Sequence, residues 1–225
     1  MPGLYKKEDF KDNCGFGLVS NINGIKSHKV ITNSINALIS MTHRGGVGSD
    51  GKTGDGCGLL FDIDHDYFRN AVSKELDIKL PEIFAIGQLF FNNKIEDILP
   101  KINKILKNEK LTLSAIRKVP VKKNILGRIA LDCSPNIYQL FISPSDKVFN
   151  EQNFQTNLLQ SRKFIEEIFF DDEILYFCSF SSKTIVYKGL MLPNAIKDFY
   201  LDLQHKNLTA SSCVFHQRFS TNTSP

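Results

Sequence analysis

The sequence predicts one α+β domain in which helices cover β-sheets. Three observations support this fold class. The chain has 225 residues, of which 42% are hydrophobic and 23% are charged, as in a globular domain. Short apolar runs typical of strands alternate with segments of helical periodicity. No internal repeat, low-complexity segment or clear linker divides the chain, so a single domain is expected.

The individual elements follow from apolar spacing and from turn residues. Strands are predicted where β-branched and aromatic residues cluster, namely at 16–22, 59–61, 84–91, 137–142, 174–180 and 183–190. Helices are predicted where apolar residues recur three or four positions apart, namely after Ser27 through Met41, at 95–110 and at 152–170. Asn23-Gly24 is a turn signal, and Gly45-Gly46 ends the first helix. We expect the last two strands to pair through Ser181-Ser182.

The segment 46–53 matches the phosphate-binding pattern G-x-x-x-x-G-K-[ST]. Such a loop needs a strand before it and a helix after it, because the helix N-terminus offers amide groups to the phosphate. Here a predicted helix precedes the loop, and the glycines at 54, 56 and 58 disfavour a helix after it. A P-loop nucleotide-binding protein is therefore the less favoured alternative, and a loop that lines a pocket is preferred.

Composition excludes several other classes. The net charge is +4 and the lysines are scattered, which argues against a nucleic-acid partner. The N-terminus has no apolar signal region, and no apolar stretch is long enough to span a membrane. The five cysteines are widely spaced and lack any C-x-x-C pair, so no disulfide framework or metal site is expected. These features predict a cytoplasmic protein without a membrane attachment.

Cys14 is the candidate nucleophile. Residues 1–13 are polar and lack periodicity, so they are interpreted as a propeptide-like leader before a domain at 14–225. Without the leader, Cys14 would carry a free α-amine, whose usual pKa of about 7.7–8.0 lets it act as a base near neutral pH. The amine would then activate the thiol without a histidine. With the leader attached, the same nitrogen is an amide and cannot take a proton.

Three stretches, taken in order, carry a family resemblance: residues 14–17, residues 42–46 with 54–56, and residues 216–223. Together they resemble the N-terminal glutaminase domain of the glutamate synthase large chain. That domain is a class II glutamine amidotransferase with the N-terminal-nucleophile hydrolase fold. The resemblance implies a four-layer αββα sandwich, truncated at its C-terminal end, and it extends from about residue 12 to residue 225.

The resemblance also implies roles for individual residues. Cys14 would attack the side-chain carboxamide of glutamine, release ammonia, and form a thioester that water hydrolyses to glutamate. Arg44 matches an arginine near the nucleophile, and Arg218 matches the arginine that holds the α-carboxylate of the substrate. A guanidinium suits that task because it binds a carboxylate through two parallel hydrogen bonds. Thr221 and Asn222 are expected to line the same pocket.

Cofactors and partners are implied in the same way. The ammonia would react with 2-oxoglutarate to give glutamate, in an oxidoreductase that serves ammonia assimilation. The implied partners are L-glutamine, the remainder of the synthase chain and a small NADPH-oxidising subunit. No cofactor is expected in this chain, whereas FMN and an iron–sulfur cluster are implied for the full-length enzyme.

The resemblance places further site residues downstream of this chain. In the family, an Asn-Gly pair forms the oxyanion hole and an acidic residue binds the substrate amine, and both follow the segment matched by 216–223. Loss of one oxyanion-hole donor typically lowers a rate by about 10²–10³. We therefore expect little or no glutaminase activity from the isolated 225 residues. A catalytically inactive fragment of the domain is the main alternative.

Overall fold

The computed structural model describes residues 15–145, 150–170 and 175–217, which form two four-stranded antiparallel sheets and several helices. The strands are β1 (Gly15–Ser20), β2 (Cys57–Asp62), β3 (Ala85–Phe91), β4 (Leu111–Lys118), β5 (Asn136–Pro144), β6 (Tyr176–Ser181), β7 (Thr184–Gly189) and β8 (Ser212–Gln217). The α-helices are α1 (His28–Ser40), α2 (His65–Leu76), α3 (Ile95–Asn108), α4 (Arg128–Asp132), α5 (Glu151–Ile168) and α6 (Ile196–Phe199). The predicted α+β class is confirmed.

The two sheets differ in strand order and in the helices that cover them. The first sheet has the order β1-β8-β2-β7, and the second has the order β4-β5-β3-β6. One core contains buried residues of α1, of α2 and of one face of the first sheet. The inner face of the second sheet packs into the same core. Another core lies between the outer face of the second sheet and helices α3 and α5. This arrangement is consistent with a layered sandwich. None of the described helices is long and apolar enough to cross a membrane.

The expected pairing between β6 and β7 is wrong. β6 pairs with β3 in the second sheet, whereas β7 pairs with β2 in the first sheet. The cause lies in the corner between them, where the Ser181 hydroxyl accepts hydrogen bonds from the amides of Lys183 and Thr184. The chain therefore turns from one sheet into the other, as strands do at the corners of packed sheets.

The start and end of α1 also differ in detail from expectation. Ser27 is the N-cap residue, but its side chain makes no capping hydrogen bond. Instead, its backbone amide donates to the carbonyl of Ala210 at 2.9 Å, which anchors the helix entry to the segment before β8. The helix ends at Ser40 and continues as a 3₁₀ turn, Thr42–Arg44, before Gly45. The turn places Arg44 beyond the helix proper.

A buried arginine connects several elements. Arg117 on β4 is 1% exposed, and all five of its N–H groups donate to described side chains. Two reach the Glu75 carboxylate on α2 at 2.8 and 2.7 Å. Two reach the Asp202 carboxylate at 2.8 and 2.7 Å, and one reaches Oε1 of Gln139 at 2.9 Å. Since the guanidinium is fully paired, its burial is compatible with a stable fold.

Asp202 completes this polar cluster, which lies between the two sheets. Besides Arg117, its carboxylate accepts hydrogen bonds from the hydroxyls of Tyr67 and Tyr187, each at 2.9 Å. Burial and the Asp202 charge raise the pKa of both tyrosines, which keeps their hydroxyls protonated as donors. Tyr187 lies on β7 of the first sheet and Arg117 on β4 of the second, so the cluster joins the two sheets.

Candidate active site

Of the predicted site residues, Arg44 is the one that the described ranges contain. It is the last residue of the 3₁₀ turn after α1, and it is exposed. Cys14, Arg218, Thr221 and Asn222 lie outside the described residues. The candidate site is therefore described from Arg44 and from Gly15 and Gln217, which are the sequence neighbours of Cys14 and Arg218.

One end of the first sheet brings these connections together. Gly15 at the start of β1 pairs with Gln217 at the end of β8, and Cys57 at the start of β2 pairs with the same Gln217. Cys14 precedes Gly15 by one peptide bond, and Arg218 follows Gln217 by one peptide bond. The antiparallel register thus brings together the two chain segments that lead to the predicted nucleophile and to the predicted carboxylate-binding arginine.

Arg44 lies against this end of the sheet. A Cβ atom added to Gly15 would lie 3.2 Å from both Cδ and Nε of Arg44. That separation is tighter than ordinary van der Waals contact, so the absence of a side chain at residue 15 leaves the room that Arg44 occupies. The structure therefore brings the predicted Arg44 next to the residue that follows Cys14.

Asp55 holds the loop that follows Arg44. The amide of Gly46 donates to Oδ2 of Asp55 at 2.7 Å, and Val47 forms an isolated β-bridge with Gly54. A Cβ atom on Gly46 would lie 2.7 Å from Oδ1 of Asp55, so a side chain there would displace the carboxylate. The motif 54–56 thus acts here as a brace for the Arg44 loop, a role that the sequence pattern alone did not assign.

Gln217 is a residue of this site that the sequence analysis gave no role. Its side chain is fully buried, and neither Nε2 nor Oε1 has a hydrogen-bond partner among the described residues. A Cβ atom on Gly45 would overlap Nε2 of Gln217, so the amide packs directly against the Arg44 loop. The sequence signal that could have indicated its burial is the alternation Cys213, Phe215, Gln217, which is typical of the buried face of a strand.

The described cysteines show which thiols are poorly suited to act as nucleophiles. Burial raises the pKa of Cys57 and of Cys178 to about 12, and that of Cys213 to about 11. These thiols are protonated at neutral pH, and the thiolate is the reactive form. Cys133 is the exposed thiol among the described residues. No three His, Cys, Asp or Glu side chains in those residues cluster closely enough to hold a metal ion.

The P-loop alternative conflicts with the structure of residues 46–53. A 3₁₀ turn precedes this loop and strand β2 follows it, so no helix N-terminus faces it from downstream. The carboxylate of Asp50 already accepts hydrogen bonds from the Thr53 hydroxyl and from the amides of Thr53 and Lys52, at 2.6, 2.8 and 3.0 Å. It also accepts from the amide of Ile129 in α4 at 3.0 Å. An internal anion therefore occupies the amides that a phosphate would need.

We expect Asp50→Ala to loosen this loop while Lys52→Ala leaves it intact. The Thr53 hydrogen bonds, followed by the other loop amides, hold the pKa of Asp50 well below its usual range, so the carboxylate is charged at neutral pH. Its removal should speed amide hydrogen exchange at Lys52, Thr53 and Ile129. Neither variant nor the parent chain should bind ATP in equilibrium dialysis. Saturable ATP binding that Lys52→Ala abolishes would contradict this assignment.

The fold and the site define a class of protein. Two antiparallel sheets are layered with helices, a cysteine immediately precedes the first strand, and an arginine lies beside that strand's first residue. This is the architecture of an N-terminal-nucleophile hydrolase domain.

The family follows from comparison with known proteins. The family model described as class II glutamine amidotransferases matches residues 14–225, and the chain belongs to that family.

Several relatives are similar to nearly the whole chain. The NADH glutamate synthase of Saccharomyces cerevisiae is 38% identical over 238 aligned residues, which cover 99% of this chain. The NADPH glutamate synthase large chain of Bacillus subtilis is 36% identical over 99% of this chain. The chloroplastic ferredoxin-dependent glutamate synthase of Oryza sativa subsp. japonica is 36% identical over 94% of it. The chain spans only 11%, 15% and 14% of these relatives, respectively.

Proposed function

We propose that this chain is the glutamine-hydrolysing part of a glutamate synthase. In this proposal L-glutamine is hydrolysed to glutamate and ammonia, and the ammonia reacts with 2-oxoglutarate and two electrons from a reduced electron donor to make a second glutamate and water. The observation that carries the proposal is that the family match begins at Cys14, the residue attached to the end of the first sheet where Arg44 lies. The similarity to glutamate synthases over 94–99% of the chain supports the choice within the family.

The proposed chemistry depends on one residue that supplies both base and nucleophile. After loss of residues 1–13, the α-amine of Cys14 takes the thiol proton as the sulfur attacks the carboxamide carbon of glutamine. The carbon–nitrogen bond breaks, the proton passes to the leaving ammonia, and a γ-glutamyl thioester remains. Water then adds to the thioester while the amine accepts its proton, and glutamate leaves as the thiol is restored.

Substrate binding is proposed to rest on arginines and neighbouring polar residues. Arg218 binds the α-carboxylate of glutamine, and Arg44 contributes positive charge beside the nucleophile. Thr221 and Asn222 line the same pocket. The position of Arg44 against Gly15 supports this assignment, since it lies at the end of the sheet from which the chain leads directly to Cys14.

The proposal also includes partners and cofactors. The remainder of a synthase chain is a proposed partner, because the chain spans only 11–15% of its relatives. The Bacillus subtilis relative is described as an NADPH-dependent large chain, which supports a small NADPH-oxidising subunit as a further partner. We propose that FMN and the iron–sulfur cluster are bound elsewhere in the full-length enzyme. A cytoplasmic location suits the five cysteines.

Labelling with 6-diazo-5-oxo-norleucine, an electrophilic glutamine analogue, tests the proposal. In the native polypeptide that carries this sequence, we expect one adduct, on Cys14, formed as the sulfur displaces dinitrogen. L-Glutamine should slow its formation, since both compounds would occupy the same pocket. Peptide mapping by mass spectrometry locates the adduct.

The exposed Cys133 provides the matched control for this labelling. Iodoacetamide, which is not a glutamine analogue, should modify Cys133 readily, whereas the glutamine analogue should leave it unmodified. A Cys133→Ser variant should keep the full adduct on Cys14. An adduct on Cys133, or no adduct in the native polypeptide, would rule out the proposed function.

A further inference from the structure

Gln217 differs from the two other fully buried glutamines among the described residues, since Gln88 lacks a partner at Nε2 alone. Gln139 is also fully buried, but its carbonyl oxygen accepts from Arg117, and its amide nitrogen donates to Gln88 and to the Tyr187 hydroxyl. Both polar atoms of Gln217 lack a partner among the described residues. A buried polar group without a hydrogen bond destabilises the fold, so its presence calls for a role other than stability.

The position of Gln217 indicates what that role is. Its amide packs against Gly45, the residue after Arg44, closely enough to leave no room for a side chain there. On another side, its Cβ lies 3.6 Å from the place that a Gly15 side chain would take. Gln217 is also joined to Arg218 by one peptide bond. The side chain of Gln217 thus contacts the segment that carries Arg44, and Gln217 directly precedes Arg218 in the sequence.

The segment around Gly45 retains other contacts that limit how it can move. The amide of Gly45 donates to the carbonyl of Thr42 at 3.2 Å, near the long end of the hydrogen-bond range, whereas the next amide, on Gly46, is held by Asp55 at 2.7 Å. The loop is thus more firmly anchored on its downstream side, at Gly46, than at Gly45. The Gln217 amide therefore lies against the less firmly anchored side of this loop.

We propose that Gln217 is a positioning residue whose amide engages the backbone of the Arg44–Gly46 segment when L-glutamine is bound, and so fixes Arg44 beside the nucleophile. The inference rests on the proposed glutaminase function and adds a residue to its substrate site. Without substrate the amide has no partner among the residues that the structure describes, and the proposed hydrogen bond forms in the complex. Binding of substrate, rather than folding, then gains from this side chain.

Gln217→Met in the native polypeptide that carries this sequence tests the inference. Methionine has nearly the same length but neither donates nor accepts a strong hydrogen bond. We expect the KM for L-glutamine to rise about tenfold, as for one lost hydrogen bond in the complex, with a smaller change in kcat. Amide hydrogen exchange in β8 should be as slow as in the parent protein or slower, because an unpaired buried amide has been removed.

Ser161→Ala is the matched control. Ser161 on α5 is also fully buried, and its hydroxyl also lacks a partner among the described residues, but it packs over the second sheet. This variant should change neither the KM nor the exchange in β8.

The possible outcomes separate this inference from the function on which it rests. An unchanged KM in Gln217→Met, or faster exchange in β8 with a parallel fall in kcat, would overturn the positioning role while leaving the glutaminase function in place. A parent protein that neither hydrolyses glutamine nor reacts with 6-diazo-5-oxo-norleucine would overturn both. A raised KM with unchanged exchange in β8 supports the inference.

Discussion

Cys14→Ser should reduce glutamine hydrolysis by the native polypeptide by at least about 10⁴-fold, because the serine hydroxyl is a far weaker nucleophile without a thiol's acidity. A variant that retains residues 1–13 should be equally inactive, since its residue-14 nitrogen is an amide and cannot take the thiol proton. Both effects follow from placing base and nucleophile on one residue. Ammonia release at saturating L-glutamine measures the rate, and intact mass shows which N-terminus is present.

The described cysteines supply controls for this experiment. Cys133→Ser removes an exposed thiol and should leave the rate unchanged. Cys213→Ala removes a buried thiol whose pKa burial raises to about 11, and it should leave the chemistry intact in any chain that folds. An active preparation whose intact mass still includes Met1 would show that the α-amine of Cys14 is not the base.

Asp202→Ala should lower the free energy of unfolding by about 3–5 kcal/mol, the usual effect of removing one partner from a buried ion pair. The carboxylate is 2% exposed and accepts hydrogen bonds from Arg117, Tyr67 and Tyr187. Its loss leaves Arg117 buried with a single carboxylate, that of Glu75. Because domains are typically stable by only about 5–15 kcal/mol, a large part of the stability should disappear. Urea denaturation followed by circular dichroism measures the change.

A surface ion pair gives the comparison for Asp202. Glu166 accepts from Arg162 at 2.8 Å on α5, with both side chains about a third exposed. Glu166→Gln should therefore lower the stability by no more than about 1 kcal/mol, as for other exposed pairs. Asp202→Asn, which keeps the shape but removes the charge, serves if the alanine variant does not fold. Equal losses from the Asp202 and Glu166 variants would show that the buried cluster contributes no more to stability than an exposed ion pair.

The sequence predicted the elements whose periodicity is local and strong. Helices α1, α3 and α5 and strand β2 lie close to their expected positions because each presents one apolar face to a core, and strands β3 and β5 do so because they are apolar on both faces between the two cores. Strands β4 and β8 were not predicted. Each places a buried polar residue in the apolar alternation. Arg117 in β4 is buried with tertiary partners that accept its hydrogen bonds, whereas the side chain of Gln217 in β8 has no such partner among the described residues.

Other features depended on contacts that no local pattern contains. The assignment of β6 and β7 to different sheets follows from their pairing with β3 and β2, which are distant in sequence. Helices α2 and α4 were also missed, and α4 has only five residues, too few to show a helical period. For the site, the placement of Arg44 beside Gly15 and the bond from Gly46 to Asp55 are visible only in the fold, and the role of Arg44 stays a prediction.

The pairing of Gly15 with Gln217 also determines how accurate the proposed removal of residues 1–13 has to be. β1 is fixed to β8 by six residue pairs, so the distance from the sheet to any new N-terminus depends on which bond is cut. A cut one residue before the Asn13–Cys14 bond would leave the free amine on Asn13, away from the thiol's own residue, and a cut one residue after it would remove the thiol. Such a chain would still have every strand and helix intact. If the proposed function is correct, a cut at the wrong bond would thus give a folded but inactive chain, which cellular quality control that recognises unfolded chains would not remove.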